Sequence, residues 1–345
     1  MTGLPTTMSG VQLVGHGGPE MLVWRDDLPV PRPAAGEVLV KVLAAGVNMT
    51  DINTRRGWYG GEGRAAGWAG EMAFPRIQGS DLCGRVVAFG TDVPGLPLGA
   101  RVICPTNQHE PESANPIRFV SIGSEFDGAF AQYCLVKARH LHDVSASPLT
   151  DIEIGAMPCA YGTAHNLLTR AAVAVGERVL VTGASGGVGL AAVQLALLRG
   201  AEVTAQCSLG KSAPLRAMGA TILSREAQPR PHSFDVVIDV VGGEGFQDRL
   251  DALSPGGRYA TSGAVGGPMV KGDLRRVYLN DLTIFGATHQ PREVFAGLVT
   301  IINTARIRPV VSKTYPLRDI ALAQADLAAG RYPGKLVLVP PESYP

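Results

Sequence analysis

The stretch that decides the fold is RVLVTGASGGVGLAAVQLALLRG, residues 178–200. A short apolar strand, Val179 to Thr182, runs into Gly183, Ala184, Ser185, Gly186, Gly187, Val188 and Gly189, and a helix follows. Glycines there permit a tight turn and let backbone N–H groups approach a pyrophosphate at the helix N-terminus, where the dipole is positive. The pattern is AxGxxG, on Ala184, Gly186 and Gly189. A glycine-rich β–α turn can also exist without a ligand, but the strand before and the helix after point to a dinucleotide site.

The end of the second strand selects the dinucleotide. An NAD site commonly places Asp or Glu there, about twenty residues on, to accept from the ribose 2′-OH. Here AEVTAQCSLGK (201–211) ends in Gln206, Cys207 and Ser208, with Lys211 following, and Arg225 closes the next strand in TILSRE (221–226). A hydroxyl and two cations suit a 2′-phosphate, because charge-assisted bonds are the strong ones. Solvated surface charges are the alternative for Lys211 and Arg225. The expectation is NADPH.

Outward from the glycine loop, strand and helix alternate through KSAPLRAMGA, FDVVIDVVGG, FQDRLDALSPGG and RYATSGAV. Strands buried on both faces and separated by helices indicate a doubly wound parallel sheet. In such sheets ligands bind outside the carboxyl edge, so Val241-Gly242 and Ser262-Gly263-Ala264 are candidate cofactor contacts. The first 150 residues have another texture, with short apolar runs such as EVLVKVLAAGV and GRVVAFG bounded by Gly, Pro and Asp. The chain closes on a further apolar strand in GKLVLV (334–339).

Composition bounds the rest. A chain of 345 residues with 46% hydrophobic content predicts a soluble protein of two domains. A net charge of +1 gives no electrostatic reason to expect nucleic acid or a membrane surface as partner. No secretory signal is read in MTGLPTTMSGVQLV, and VGLAAVQLALL is too short to span a bilayer. Five cysteines at unpaired spacing read as reduced thiols of a cytoplasmic protein.

One segment resists both a surface and a core reading: GVNMTDINTRRGWYG (46–60), with Asn48, Asp51, Asn53 and Tyr59 set between glycines. Together with IQGSDLCGRVVAFG (77–90), VLVTGASGGVG, DVVIDVVGG and GKLVLV, in that order, it resembles the medium-chain dehydrogenase/reductase superfamily over essentially the whole chain. The resemblance implies a Rossmann domain, residues 151–290, inserted in a GroES-like β-rich catalytic domain, residues 1–150 plus 291–345, with the active site in the cleft between them. In the superfamily's zinc enzymes the position of Asn48 carries Cys and the motif matching Gly79-Ser80-Asp81 carries His and Glu; Cys159 falls at the third ligand position. Carboxamide and hydroxyl are weak zinc ligands, so no metal is expected. The residues resemble instead the zinc-free quinone oxidoreductases and enoyl-thioester reductases, which reduce a carbon–carbon double bond conjugated to a carbonyl. Asn53 departs from the quinone oxidoreductases, which usually have Tyr there.

In that chemistry the protein must orient the cofactor against the alkene and exclude water. Tyr59 is the candidate proton donor or hydrogen-bond donor to the enolate oxygen, with solvent as its rival and a half-buried aromatic as the plain structural alternative. Asn48 is a candidate partner of the nicotinamide or its ribose, and Asp51 a helix cap. The resemblance puts Thr163 near the nicotinamide, and in LTIFGATHQ (282–290) Gly286, Ala287 and Thr288 as well, on a strand that often pairs across a homodimer. Trp58 and Trp68, in the long segment GWYGGEGRAAGWAGEMAFPR, are possible pocket walls. Arg55 and Arg56 could meet an acyl-CoA phosphate, though surface charges are the plainer reading. Two other functions stay open: an alcohol or aldehyde dehydrogenase recruiting metal through Cys159 and Asp81, and an NADPH-binding protein without turnover, crystallin-like in role.

Overall fold

The computed structural model describes residues 3–60, 67–68, 70–110 and 113–341. The N-terminal stretch forms strands β1 (Thr7–Leu13), β2 (Leu22–Pro29), β3 (Glu37–Val47), β4 (Arg76–Ile77), β5 (Cys83–Phe89), β6 (Arg101–Ile103), β7 (Asn107–His109), β8 (Phe119–Ser121), β9 (Tyr133–Lys137) and β10 (His142–Asp143), with helices α1 (Met49–Arg55) and α2 (Asp151–Gly155). Helix α3 (Pro158–Arg170) leads into β11 (Arg178–Val181), α4 (Gly187–Leu198), β12 (Glu202–Cys207), α5 (Ala213–Ala217), β13 (Thr221–Ser224), β14 (Phe234–Asp239), α6 (Phe246–Asp251), β15 (Leu253–Thr261), α7 (Leu274–Leu279) and β16 (Thr283–Gly286). Helix α8 (Arg292–Asn303), β17 (Val311–Pro316), α9 (Ile320–Ala328) and β18 (Lys335–Val339) complete the chain.

Two units result. Unit 1 comprises the residues up to Cys159 and from Val299 onward; unit 2 is Ala160–Leu298. The divide falls inside α3 and α8, later than the boundaries at 150 and 290; at the first of them α2 packs against β3 and β5 of unit 1.

In unit 1 the main sheet runs β10-β6-β5-β3-β18-β17, with β9 also on β3. The returning GKLVLV strand is β18, antiparallel to β3 with Leu336 opposite Val47. Most of β3 is buried. Val38, Leu39, Val40 and Val42 share a core with Phe130, Leu336 and Leu338. Truncating one such side chain to Ala costs about 2–5 kcal/mol. Unit 2 holds a six-stranded, all-parallel sheet of order β13-β12-β11-β14-β15-β16. Counted from β11, that is 3-2-1-4-5-6, the doubly wound order of a Rossmann sheet. Helix α4 is apolar all round because most of it is buried against the sheet. Among the described residues no helix is long and apolar enough to cross a membrane.

Candidate active site

The unit 2 site is built where β11 turns into α4. A Cβ on Gly189 would lie 2.3 Å from the Gly183 carbonyl oxygen and 2.7 Å from the Ala184 Cα. Only glycine lets the helix come this close to the strand. The N-cap of α4 is Gly186, which has no side chain to satisfy the first-turn amides. Ser185, Gly187 and Val188 are half-buried and Gly186 is exposed, so this end of the helix is open to a ligand. The cradle fits a pyrophosphate.

The neighbouring strand ends are organised by a network that the sequence did not reveal. Asp239, fully buried at the end of β14, accepts from Thr182 Oγ1, Tyr259 OH and Arg249 Nη1 (3.0 Å). It also accepts from the backbone N–H groups of Val241 (2.8 Å) and Gly242 (3.2 Å). A buried carboxylate so fully bonded holds the Val241-Gly242 turn in one shape. The Gly266 N–H donates to the Val241 carbonyl (2.7 Å), joining this turn to the loop after Ser262, Gly263 and Ala264. Ala287 donates its N–H to the Thr261 carbonyl (2.9 Å), which brings Gly286, Ala287 and Thr288 to the same carboxyl edge. Thr163 is half-buried on α3.

Ser208 and Arg225 follow directly on the adjacent strands β12 and β13, and Arg225 donates its N–H to the Cys207 carbonyl (2.9 Å). Lys211 closes the single turn after Ser208. The Arg225 side chain is exposed, with Glu226 at 3.8 Å. Cys207 is buried, which pushes its thiol up; His165 is pushed down to about 4 by burial and by Arg199, whose Nη2 lies 3.2 Å from Nδ1. Neither has the exposure or charge of a reactive group.

The unit 1 site gathers at the junction of β3 and α1. Asn48 precedes the helix, and Asp51 reaches back to accept from the Asn48 backbone N–H (2.8 Å), the capping role expected of it. The Asn48 carboxamide is wholly engaged: Nδ2 donates to Asp81 Oδ2 (2.8 Å) and Ser80 Oγ (3.1 Å), while Oδ1 accepts from Lys335 Nζ. Asp81 Oδ2 also faces Lys335 Nζ at 3.0 Å, and Asp81 Oδ1 accepts from the Cys159 backbone N–H (2.6 Å). Burial pushes the Cys159 thiol up to about 12, with Asp81 adding to it, and pushes Asp51 up to about 7. One thiol and one carboxylate, beside a spent carboxamide, a hydroxyl and an ammonium bonded to that same carboxylate, do not fit a divalent cation. Among the described residues no group of three His, Cys, Asp or Glu able to hold a metal occurs.

Tyr59 is carried back onto α1 by the way the helix ends. Gly57 adopts φ +70°, and the N–H groups of Gly57 and Trp58 donate to Thr54 and Asn53 carbonyls (3.1 and 2.9 Å). This is a Schellman stop, which needs a residue at ease in the left-handed region. The chain then folds so that Tyr59 OH donates to Thr50 Oγ1 (3.2 Å), with Asn53 Nδ2 3.5 Å away. Burial, first among the causes, raises the phenol above its ordinary range. The Tyr59 ring stacks on Trp68 at 6.0 Å, and Trp68 meets Phe119 edge-on at 6.4 Å. Of the two proposed walls, then, Trp68 lies against Tyr59, whereas Trp58 is 53% exposed. The long segment that carries both tryptophans, residues 57–76, falls partly on 61–66 and 69, outside the described residues. Arg55 is buried and donates to Gln324 Oε1 (3.0 Å) and the Gly17 carbonyl (2.8 Å), so it does not face a ligand; Arg56 is exposed.

Three residues here were not foreseen: Lys335, Thr50 and Phe119. A lysine opening an apolar strand, in GKLVLV, was the one available signal.

Comparison with known proteins accords with this architecture. Residues 34–146 match the "Alcohol dehydrogenase GroES-like domain" and residues 217–338 the "Zinc-binding dehydrogenase" family. An acryloyl-coenzyme A reductase of Metallosphaera sedula is 32% identical over 89% of this chain and 93% of its own length. A quinone oxidoreductase of Mus musculus is 29% identical over 96% of this chain and 98% of its own. Among solved structures, a Sinorhizobium meliloti protein provisionally called an alcohol dehydrogenase is 43% identical, with TM-score 0.91 and 98% of each chain covered. The 2-octenoyl-CoA carboxylase reductase CinF, solved with NADP and 2-octenoyl-CoA, is 25% identical, with TM-score 0.87 over 99% of this chain and 90% of its own. With a GroES-like unit, a 3-2-1-4-5-6 Rossmann sheet and these relatives, the chain belongs to the medium-chain dehydrogenase/reductase superfamily.

Proposed function

We propose that the protein is a metal-independent, NADPH-dependent reductase of a carbon–carbon double bond conjugated to a carbonyl, as in an enone, a quinone or an enoyl thioester. The observation that carries this reading is the ammonium of Lys335, bonded to Asn48 and Asp81 where the superfamily's zinc enzymes bind their metal. A cation fixed there repels a divalent ion, which disfavours the metal-recruiting alcohol dehydrogenase. The acryloyl-coenzyme A reductase and quinone oxidoreductase relatives support the reaction class.

When bound, the dinucleotide supplies a hydride to the β-carbon. The turn Ala184–Gly189 holds its pyrophosphate, and Ser208, Lys211 and Arg225 hold the 2′-phosphate. The NADP in the CinF structure supports a phosphate-bearing cofactor. Thr163, Val241, Gly242, Ser262, Gly263, Ala264, Gly286, Ala287 and Thr288 form the face that orients the nicotinamide. Tyr59, a neutral phenol, donates its proton to the α-carbon or a hydrogen bond to the enolate oxygen. Asn48, its amide spent on Lys335, Asp81 and Ser80, acts by positioning its neighbours rather than by gripping the ring.

We further propose that the protein works in the cytoplasm as a homodimer joined through β16. Its five cysteines are free and buried, as in a reducing compartment. Strand β16 is an edge strand with Ile284 exposed, flanked by exposed Leu274, Tyr278 and Leu279 on α7, an apolar edge of the kind that pairs with another chain. The test of function is a panel of enones, quinones, enoyl thioesters and simple alcohols, each assayed with NADPH and with NADH. Turnover of conjugated substrates with NADPH is expected. Turnover confined to alcohols, or binding of NADPH without any turnover, would overturn the proposal.

A further inference from the structure

We propose that Lys335 is a positioning residue, whose buried ammonium fixes the Asn48 amide and, through Asn48, helix α1 and the hydroxyl of Tyr59. Its kinetic consequence rests on the function proposed above; its structural consequence does not.

A lysine 2% exposed is tolerable only if all its N–H donors are used. Lys335 has three acceptors for three donors: the Val47 carbonyl (3.1 Å), Asn48 Oδ1 and Asp81 Oδ2 (3.0 Å). The sheet delivers it there. Leu336 lies opposite Val47 in the β18–β3 pairing, so Lys335 meets Asn48, the first residue beyond β3. Bare backbone at Gly46 makes room for the carboxylate, since a Cβ there would stand 2.3 Å from Asp81 Oδ2.

The ion pair does more than neutralise charge. It reads the direction of the Asn48 amide, with the carbonyl toward the ammonium and the NH₂ toward the carboxylate and Ser80 Oγ. A half-turn of the amide would set NH₂ against ammonium and carbonyl against carboxylate, two repulsions in a buried place. Asn48 is the N-cap of α1, and that helix carries Thr50, which accepts from Tyr59 OH (3.2 Å), and Asn53. The tyrosine hydroxyl therefore hangs from a helix whose entry Lys335 holds. A plain buried ion pair would leave that helix indifferent to the loss of both charges.

The test is the double variant Lys335→Met with Asp81→Asn, which removes both charges of the ion pair together. Lys335→Met alone is expected to melt well below the wild type, and the double variant to recover most of the loss. In the double variant the amides of residues 49–56 are expected to exchange with deuterium about tenfold faster, as local opening becomes easier. On the best conjugated substrate kcat is expected to fall by about tenfold or more while KM for NADPH holds. Asn48→Ala, which keeps the ion pair, is expected to loosen the same amides, and combining it with the double variant to add nothing further. Wild-type exchange over 49–56 in the double variant would overturn the inference. Additive effects would too, since Lys335 would then not act through Asn48. Should the double variant fail to fold, wild-type exchange in Asn48→Ala overturns it equally. Absence of turnover on the whole panel would sink the proposed function, and the exchange data would still decide the role of Lys335.

Discussion

At the scale of residues, Tyr59 is the side chain whose removal is most informative. Tyr59→Phe keeps the ring that stacks on Trp68 and deletes only the hydroxyl on Thr50. Stability is expected to change by about 1 kcal/mol at most. A positioned general acid is worth about 10²–10⁴-fold, so kcat is expected to drop at least tenfold, measured at saturating cofactor. Full kcat in the variant would leave proton delivery to water. Because burial raises the Tyr59 pKa above the ordinary phenol range, the phenol stays protonated through neutral and mildly alkaline pH, and kcat is expected to show no loss from its ionisation there. On the cofactor side, Lys211→Ala is expected to weaken NADPH by roughly ten- to a hundredfold, about 1.5–3 kcal/mol, and NADH hardly at all. Equal losses in titrations of both cofactors would show that the 2′-phosphate is not read there. Much of this was legible in residue types at motif positions: Asn48, Ser80 and Asp81 stand together as the resemblance implied. Lys335 was not, because its approach to Asn48 is made by a strand pairing 287 residues away in sequence.

At the scale of elements, the β11–α4 turn is defined by contact distance. Gly189→Ala sets a methyl 2.3 Å from the Gly183 carbonyl, so strand and helix must part. We expect a stability loss of about 1–3 kcal/mol and weaker binding of NADPH and NADH alike, the counterpart to the selective effect at Lys211. Wild-type affinity for both in calorimetric titration would mean that the cradle does not hold the pyrophosphate. The turn was readable because a strand, glycines at fixed spacing and a helix all agree locally. The Asp239 network that shapes the next turn was not. In DVVIDVVGG the acid looks like a strand terminus, and its partners Thr182, Arg249 and Tyr259 come from three other segments. The end of α1 lies between these cases. Gly57 permits the left-handed turn, but only the observed bonds reveal that the turn brings Tyr59 back onto Thr50.

At the scale of the whole molecule, the change of texture near residue 150 and the returning GKLVLV strand point to a β-rich unit built from both ends of the chain, whereas the sheet order of each unit is given only by the observed strand pairings. The edge strand β16 carries the assembly prediction. Ile284→Lys, which puts a charge on that exposed apolar edge, is expected to yield monomers in sedimentation, whereas an unchanged dimer would place the interface elsewhere. The central claim, metal-free conjugate reduction, meets its most direct test in one measurement. Enzyme stripped with a chelator is given a conjugated enone and NADPH deuterated at the transferring position, and the product is analysed by NMR. The account predicts an undiminished rate and deuterium on the β-carbon of a saturated ketone. A rate that returns only with added zinc, or deuterium on the carbinol carbon of an alcohol, would contradict it.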